Sequence, residues 1–225
     1  MLVSEALFLL LSNKSDHFEI GVSHQRVALN GALLCDLVAT DLARIEGGKS
    51  PKVVATPGAA KRASAHPALA HGVSRLEAKN GQTVYSALNS RKFADKNALA
   101  ERLIEEGVLD KERASFLGLK WTRFPEKDET IEATMRGRYR DIFHGKAEPR
   151  AEEAIVILLL KNTGELRRVF LEEIQGVPFD DVRVRVRDID RAVLEGATFD
   201  YAEEVNLVLD AVARAAAVEE ESASS

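Results

Sequence analysis

The stretch "ALAERLIEEGVLDKERASFLGLKWTRFP", residues 98–125, joins a helical pattern to an aromatic one. Its first half has helical spacing, and Gly107 follows at a position where a glycine commonly ends a helix. The second half alternates, contains the only tryptophan of the chain, Trp121, and is closed by Pro125. Alternation with aromatic residues is typical of strands, so we predict a helix followed by a two-stranded hairpin.

Helical patterns also fill most of the sequence on either side of this stretch. A short strand is predicted over residues 17–22, and further helices are predicted over residues 2–11, 28–48, 67–78, 130–145, 149–160, 165–174, 180–196 and 201–217. Gly47 and Gly48 are predicted to end the second of these helices. The predicted fold is therefore mostly α, a single compact helical domain with one or two β-hairpins. The domain covers residues 1–215, and residues 216–225 are predicted to form a disordered acidic C-terminal tail.

Composition and charge narrow the classes of function. Hydrophobic residues make up 45% of the 225 residues, enough for a sizeable core, and the formal net charge is −5. A chain with this charge lacks the global positive field that is typical of nucleic-acid-binding proteins. The apolar run "AIVILLL", residues 154–160, is far shorter than the roughly 20 residues that span a bilayer. The N-terminal apolar run contains Glu5 and has no basic segment before it, unlike a signal peptide. We therefore expect a cytoplasmic protein that is soluble or peripheral to a membrane.

Short motifs give no support for an enzyme. The run "EGGKS", residues 46–50, lacks the first glycine of a phosphate-binding loop and follows a predicted helix rather than a strand. His66 and His71 have no further metal-binding side chains close to them in the sequence. The single cysteine, Cys35, lies in an apolar run and is predicted to be a buried thiol. We therefore predict no catalytic residues, no metal site and no cofactor.

Three explanations fit the aromatic hairpin, whose residues 113–125 carry three basic side chains and no acidic one. It is a hairpin packed on the core, the wing of a nucleic-acid-binding winged helix, or a wedge that enters a membrane. The preceding helix carries Glu101, Glu105 and Glu106, which repel DNA phosphates and disfavour the winged helix. Tryptophan favours the membrane interface, and each basic residue near an anionic leaflet adds about 1 kcal/mol of binding free energy. The sequence pattern alone leaves the three explanations open.

The chain also resembles the Golgi phosphoprotein 3 family, whose members are peripheral membrane proteins that bind phosphatidylinositol 4-phosphate. The resemblance covers nearly the whole chain, and it is carried by "LVSEALFLLLSNKSD", "LNGALLCDLVATDLARIEGG", "LAERLIEEGVLDKERASFLGLKWTRFPEKDETI" and "EEAIVILLLKNTGELRRVF". The composition is similar to that of the bacterial branch of the family. The resemblance implies a compact helical domain whose aromatic hairpin projects towards the membrane, and a function as a non-catalytic adaptor that binds anionic phospholipid.

The resemblance further implies a lipid site with two parts. In the hairpin, apolar side chains insert and basic ones hold phosphate: Phe116, Leu117, Leu119, Lys120, Trp121 and Arg123. In the family's headgroup pocket a tryptophan and several arginines hold the phosphate, and these positions fall at Gly21, Asn30, Phe93 and Lys96, of which only Lys96 is charged. Arg26, Arg91 and Lys92 lie close enough in the sequence to compensate. We therefore expect binding to anionic lipid, with phosphatidylinositol 4-phosphate as one candidate, rather than strict specificity for it.

The expected partners follow from the same resemblance. They are an anionic phospholipid membrane, on whose cytosolic face the protein would lie, and the cytosolic tails of other membrane proteins. No nucleic acid is expected as a partner, and the alternative function is a winged-helix-like nucleic-acid-binding module. Aromatic hairpins also pair copies of a domain, so homo-oligomers stay open.

Overall fold

The structure is a computed structural model that describes residues 1–11, 22–116, 119–196 and 199–223. Within these ranges the elements follow in the order α1 Val3–Leu11, α2 Val22–Ala39, β1 Ala43–Glu46, β2 Lys52–Ala55, α3 Ala59–Ala63, α4 Pro67–Glu77, β3 Gln82–Thr83, α5 Val84–Leu88, α6 Lys96–Glu105, β4 Glu112–Phe116, β5 Leu119–Arg123, α7 Glu129–Phe143, α8 Ala151–Asn162, α9 Leu166–Val169, α10 Phe179–Leu194 and α11 Ala202–Ala223. The described strands form two small antiparallel sheets, so the prediction of a mostly α fold is confirmed.

The centre of the molecule is built around α2, which packs against α1, α8 and α11. The two shorter helices of this group are apolar on nearly every side. All side chains from Val3 to Leu11 and from Glu153 to Leu160 are buried. A helix without a polar face is stable only when it is enclosed by protein. The buried helices predicted over residues 2–11 and 149–160 are therefore confirmed.

The second helix ends earlier than predicted, because an aspartate takes the conformation that usually requires glycine. α2 ends at Ala39, and Asp41 is left-handed with φ 52°. The N–H of Leu42 donates to the carbonyl of Leu37 at 2.8 Å, which is one of the two hydrogen bonds of a Schellman cap. Aspartate tolerates this conformation better than most residues, and its short polar side chain is the only hint that the sequence offers.

The two glycines that were predicted to end this helix belong instead to a β-hairpin. Residues 43–46 form β1, and Gly47 and Gly48 lie in the loop that leads to β2. β1 pairs with β2 from Ala43↔Ala55 to Glu46↔Lys52, and β2 pairs in turn with β3. The prediction of helix up to residue 48 is therefore wrong, and "EGGKS" lies between two antiparallel strands.

The aromatic hairpin is confirmed as the pair of β4 and β5. Gly107, with φ 75°, follows the end of α6 as predicted, and the register of the hairpin runs from Glu112↔Arg123 to Phe116↔Leu119. Its base is attached to the core, since the ring of Phe124 packs edge-on against that of Phe8 with 5.8 Å between centroids. The hairpin therefore extends outward from a fixed base.

The ends of the remaining predictions differ in detail. Residues 17–21 of the predicted strand lie outside the described residues, and Val22 begins α2. α11 passes residue 215, where the sequence places the end of the domain, and its backbone stays helical to Ala223. Alanine and glutamate are strong helix formers that extend a packed helix. The boundary at residue 215 and the disorder of residues 216–225 stay predictions.

Candidate functional site

Trp121 lies on the hairpin with 47% of its surface exposed. A hairpin whose role is to cover the core buries its largest side chain, because tryptophan offers the most apolar surface to remove from water. In the antiparallel register Trp121 is opposite Ala114, and the next pair on the same side of the ladder is Phe116 and Leu119. In the outer half of the hairpin, apolar residues therefore share one side of the strands with a tryptophan in contact with solvent, and the charged pair Glu112 and Arg123 follows at the base.

The position of the turn determines which residues of β4 and β5 lie on the same side of the hairpin. A single continuous strand would put Phe116 on the face of Lys120, whereas the observed register pairs Phe116 with Leu119 and Ser115 with Lys120. Arg113 and Lys120 thereby take register positions on the other side from Trp121, whereas Arg123 and its partner Glu112 share the side of Trp121. Leu117 lies outside the described residues, as do the side chains of Phe116, Leu119 and Lys120. Arg123 is half-buried at the base of β5, opposite Glu112.

The second part of the predicted site lies where α2 and α6 begin. Lys96 is the first residue of α6, and its Nζ donates to Oε1 of Gln25, in the first turn of α2, at 2.7 Å. Partial burial removes water from this ammonium group and lowers the pKa of Lys96 to about 8. A cation that has lost part of its hydration gains more from an approaching anion than a fully solvated one does. Lys96 is therefore a suitable phosphate ligand, and Gln25 is a neighbour that the sequence gave no reason to select.

The loop between α5 and α6 carries two of the predicted cations and is held by Asn30. The side-chain amide of Asn30 donates to the carbonyls of Ala87, Leu88 and Ser90 at 3.2, 2.7 and 2.8 Å. Its Oδ1 accepts the N–H of Ala94 at 2.9 Å. Asn30 is thus fully used as an internal support of the loop.

Arg91 and Lys92 lie on this supported loop and are exposed, whereas Phe93 between them and α6 is completely buried. The carbonyl of Lys92 is hydrogen-bonded to Nε2 of His71 at 2.9 Å. Arg26 follows Gln25 on α2 and is partly buried. The resemblance assigns arginines to positions 30 and 93, but Asn30 and Phe93 are buried and support the loop. The cations of the predicted site are instead residues next to these positions in the sequence or the structure. Gly21 lies outside the described residues.

The first turn of α6 does not itself offer amide groups to an anion. The carboxylate of Asp95, the N-cap, accepts the N–H groups of Asn97 at 3.0 Å and Ala98 at 3.1 Å. These are the donors that a bound phosphate would otherwise use at a helix N-terminus. An anion at this end of α6 would therefore have to be held by side chains rather than by these amide groups.

The two parts of the site lie at opposite ends of one helix. Lys96 begins α6, and the chain that leaves the other end of α6 forms the hairpin. A helix of 10 residues is about 15 Å long, and each five-residue strand of the hairpin adds about 17 Å. The basic loop and the hairpin are therefore two separate features joined by a rigid element. Among the described residues, no helix is long and apolar enough to cross a bilayer.

The prediction that Cys35 is a buried thiol is confirmed. Cys35 is free and buried in α2, and burial raises its pKa far above the usual range. A thiol that stays protonated is a poor nucleophile.

Comparison with known protein families identifies the fold. The family model described as Golgi phosphoprotein 3 (GPP34) matches residues 2–219. The chain belongs to the Golgi phosphoprotein 3 family. The match includes every described element from α1 to α10 and most of α11, and it confirms the resemblance seen in the sequence. In a comparison with curated proteins, none matched the chain.

Proposed function

We propose that this member of the Golgi phosphoprotein 3 family is a peripheral membrane protein that binds anionic phospholipid. The hairpin of β4 and β5 inserts into the interface, and the basic loop between α5 and α6, with Arg26 and Lys96, holds phosphate. The protein acts as a non-catalytic adaptor on the cytosolic face of a membrane, and the cytosolic tails of membrane proteins are its proposed partners. Homo-oligomerisation stays a prediction.

The exposure of Trp121 is the observation that carries this proposal. A half-exposed tryptophan on a projecting hairpin lowers solubility without contributing to the core. Its position therefore indicates a surface that contacts a partner. Strand β5, "LKWTR", surrounds it with two basic residues and no acid. Tryptophan at the headgroup level and basic residues near anionic lipid are both favourable, and together they suit a membrane surface.

The basic loop supports a broad preference for anionic lipid. Arginine holds phosphate through two parallel hydrogen bonds, whereas lysine acts as a point charge. At the aligned headgroup positions the chain has Asn30, Phe93 and Lys96, and the first two are buried. We therefore propose recognition of negative charge first, with phosphatidylinositol 4-phosphate as one of several acceptable headgroups.

The winged-helix alternative receives no support from the residues next to the hairpin. Glu101 and Glu105 on α6 and Glu106 after it are exposed. A helix with this surface would meet the phosphates of a duplex with like charge.

Co-sedimentation with liposomes tests the proposal. The vesicles are neutral, or contain phosphatidylglycerol, or contain phosphatidylinositol 4-phosphate at the same surface charge. The wild type is expected in the pellet with both anionic vesicles, and the double variant Leu119→Glu, Trp121→Glu is expected in the supernatant. Leu171→Glu, Leu194→Glu is the matched control, because it adds the same two negative charges at leucines that are exposed, at 61% and 62%, and lie outside the hairpin.

The basic loop is tested in the same assay by Arg91→Glu, Lys92→Glu. Lys49→Glu, Lys52→Glu changes the net charge by the same amount at two exposed lysines outside the site. The loop variant is expected to lose most of its binding and the control to keep it. Wild-type protein that stays in the supernatant with every vesicle would overturn the proposed function. If the loop variant and the Lys49→Glu, Lys52→Glu control lose binding equally, only the overall charge of the protein matters.

A further inference from the structure

A groove lies between α10 and the segment formed by the end of α8 and α9. Its volume is about 560 Å³, within the range of pockets that bind a ligand. Its wall includes apolar residues from both sides, Leu166, Phe179, Val182 and Val186. Val182 and Val186 are buried and form the floor, while Phe179 is 49% exposed at the first residue of α10. The groove therefore offers apolar surface that solvent reaches.

The charges around the groove oppose the charge of the whole protein. Four cationic side chains line it, Lys161, Arg167, Arg183 and Arg187, against two carboxylates, Asp180 and Asp190. The chain as a whole has a formal net charge of −5. A local excess of positive charge on an acidic protein is selective for an anionic partner.

The two carboxylates are already paired with two of the cations. Nζ of Lys161 bonds to Oδ2 of Asp190, and a guanidinium nitrogen of Arg183 lies 3.8 Å from Oδ1 of Asp180. Arg167 and Arg187 make no hydrogen bond or ion pair with the part of the chain that the structure describes. These two exposed guanidinium groups can therefore pair with anionic groups of a partner.

One of these guanidinium groups is held in place by the exposed ring. The guanidinium carbon of Arg167 lies 5.4 Å from the centroid of Phe179, a cation–π contact. Stacking on a ring leaves the edge of the guanidinium free to donate two parallel hydrogen bonds to a carboxylate. Aromatic residues and arginine are also the residues that contribute most to protein interfaces.

We propose that this groove is a docking site for an acidic peptide segment of a protein partner. Apolar side chains of the segment fill the groove between Phe179 and the valine floor, and its carboxylates pair with Arg167 and Arg187. A peptide suits this surface better than a membrane, because a groove is concave and a bilayer surface has no side chains to place in it. A membrane is entered by a protruding element such as the hairpin.

Fluorescence anisotropy with a defined peptide pool tests the inference. The probe is a pool of labelled dodecapeptides with Leu, Ile or Phe at four central positions and Asp or Glu elsewhere. We expect saturable binding with a dissociation constant on the order of 100 µM or tighter. Two further pools serve as controls, one with Lys or Arg in place of the acids and one with Ser in place of the apolar residues. Both are expected to bind at least tenfold more weakly.

Two variants locate the binding in the groove. Arg167→Glu, Arg187→Glu is expected to weaken it at least tenfold, and Phe179→Ala at least fivefold. Arg214→Glu, an exposed arginine on α11, is expected to bind like the wild type. The replaced side chains are exposed, and circular dichroism with thermal unfolding confirms that each variant is folded.

The absence of saturable binding to the acidic pool would overturn the inference, as would undiminished binding by Arg167→Glu, Arg187→Glu. Loss of binding to anionic vesicles in that variant, with no effect on the peptide pool, would assign the groove to the membrane instead. The inference is independent of the proposed lipid site, because the hairpin variant Leu119→Glu, Trp121→Glu is expected to bind the acidic pool normally.

Discussion

The carboxylate of Asp36 on α2 accepts the backbone N–H of Val3, the first residue of α1, at 2.8 Å. Its second oxygen accepts the N–H of Ser4 at 2.9 Å. Asp36 is buried, so these two hydrogen bonds join α1 and α2 through a carboxyl group inside the core. Burial raises the pKa of Asp36 to about 7, with a smaller contribution from the charge of Glu5, although the hydrogen bonds from Ser4 and Val3 oppose the shift.

The raised pKa makes stability depend on pH. An aspartate in an unfolded chain titrates near 3.9, so between about pH 4 and pH 7 the folded state binds the proton more tightly. The free energy of unfolding contributed by Asp36 therefore falls as pH rises through this window, by up to about 1.4 kcal/mol for each pH unit, and is level above it. Asp36→Asn removes this slope. Urea unfolding at pH 5, 6, 7 and 8 measures it, with Asp41→Asn, an exposed aspartate, as the control that keeps the slope.

Removing the side chain of Asn30 is expected to destabilise the protein strongly, because this side chain supports the loop between α5 and α6. Asn30→Ala leaves the carbonyls of Leu88 and Ser90 and the N–H of Ala94 without this partner in a buried place, while the carbonyl of Ala87 keeps the N–H of Ser90. Each buried group without a hydrogen bond costs about 1–3 kcal/mol, and water reaches some of them, so we expect about 2–4 kcal/mol of lost stability. Asn30→Arg, which restores the residue type of the family pocket, should be worse because position 30 is only 1% exposed. Unfolding in urea measures both, and near-wild-type stability of the arginine variant would contradict the structural role.

Much of the fold could be predicted from the sequence, because the spacing of apolar residues indicates which faces of a helix are buried. The continuous apolar pattern of α1 and α8 predicted enclosed helices, and Gly107 marked the end of α6. The end of α2 could not be predicted, because Asp41 there does what a glycine normally does. Local sequence carries little information about such a choice, which the packing of Leu42 into the core decides.

The candidate site was less accessible to sequence reasoning. Trp121 and the cations Arg91, Lys92 and Lys96 could be selected by residue type and by resemblance. The contact of Lys96 with Gln25 spans 71 positions in the sequence and has no local signature. The groove beside α10 was also missed, because Arg167 and Phe179 come together only through the turn between α9 and α10.

Two glycines in helices predict opposite effects of alanine. A Cβ added at Gly31 on α2 would lie 2.8 Å from Cγ2 of Val212 and 3.0 Å from Cδ2 of Leu159, so α2 approaches α11 and α8 too closely for a methyl group. We expect Gly31→Ala to cost about 1–3 kcal/mol of stability. Gly137 on α7 has nothing within 4 Å of the same position, and Gly137→Ala should stabilise by about 0.5–1 kcal/mol because alanine is the better helix former. Thermal unfolding of the matched pair measures the difference, and destabilisation by both would contradict the packing argument.

The lowered pKa of Lys96 predicts that lipid binding depends on pH. With phosphatidylglycerol vesicles, whose charge is constant in this range, binding is expected to be strong at pH 7 and to weaken as the ammonium group loses its proton above about pH 8. The loss of one cation near an anionic surface is worth about 1 kcal/mol, or about a fivefold decrease in apparent affinity by pH 9.5. Unfolding does not produce this loss, because a lysine with a lowered pKa in the folded state contributes stability that increases, not decreases, between pH 8 and about pH 10.4. Lys96→Arg keeps its charge and should bind equally at both pH values, whereas Lys96→Met should bind weakly at both. Co-sedimentation at pH 7 and pH 9.5 separates these cases, and a wild type that binds equally at both would remove Lys96 from the site.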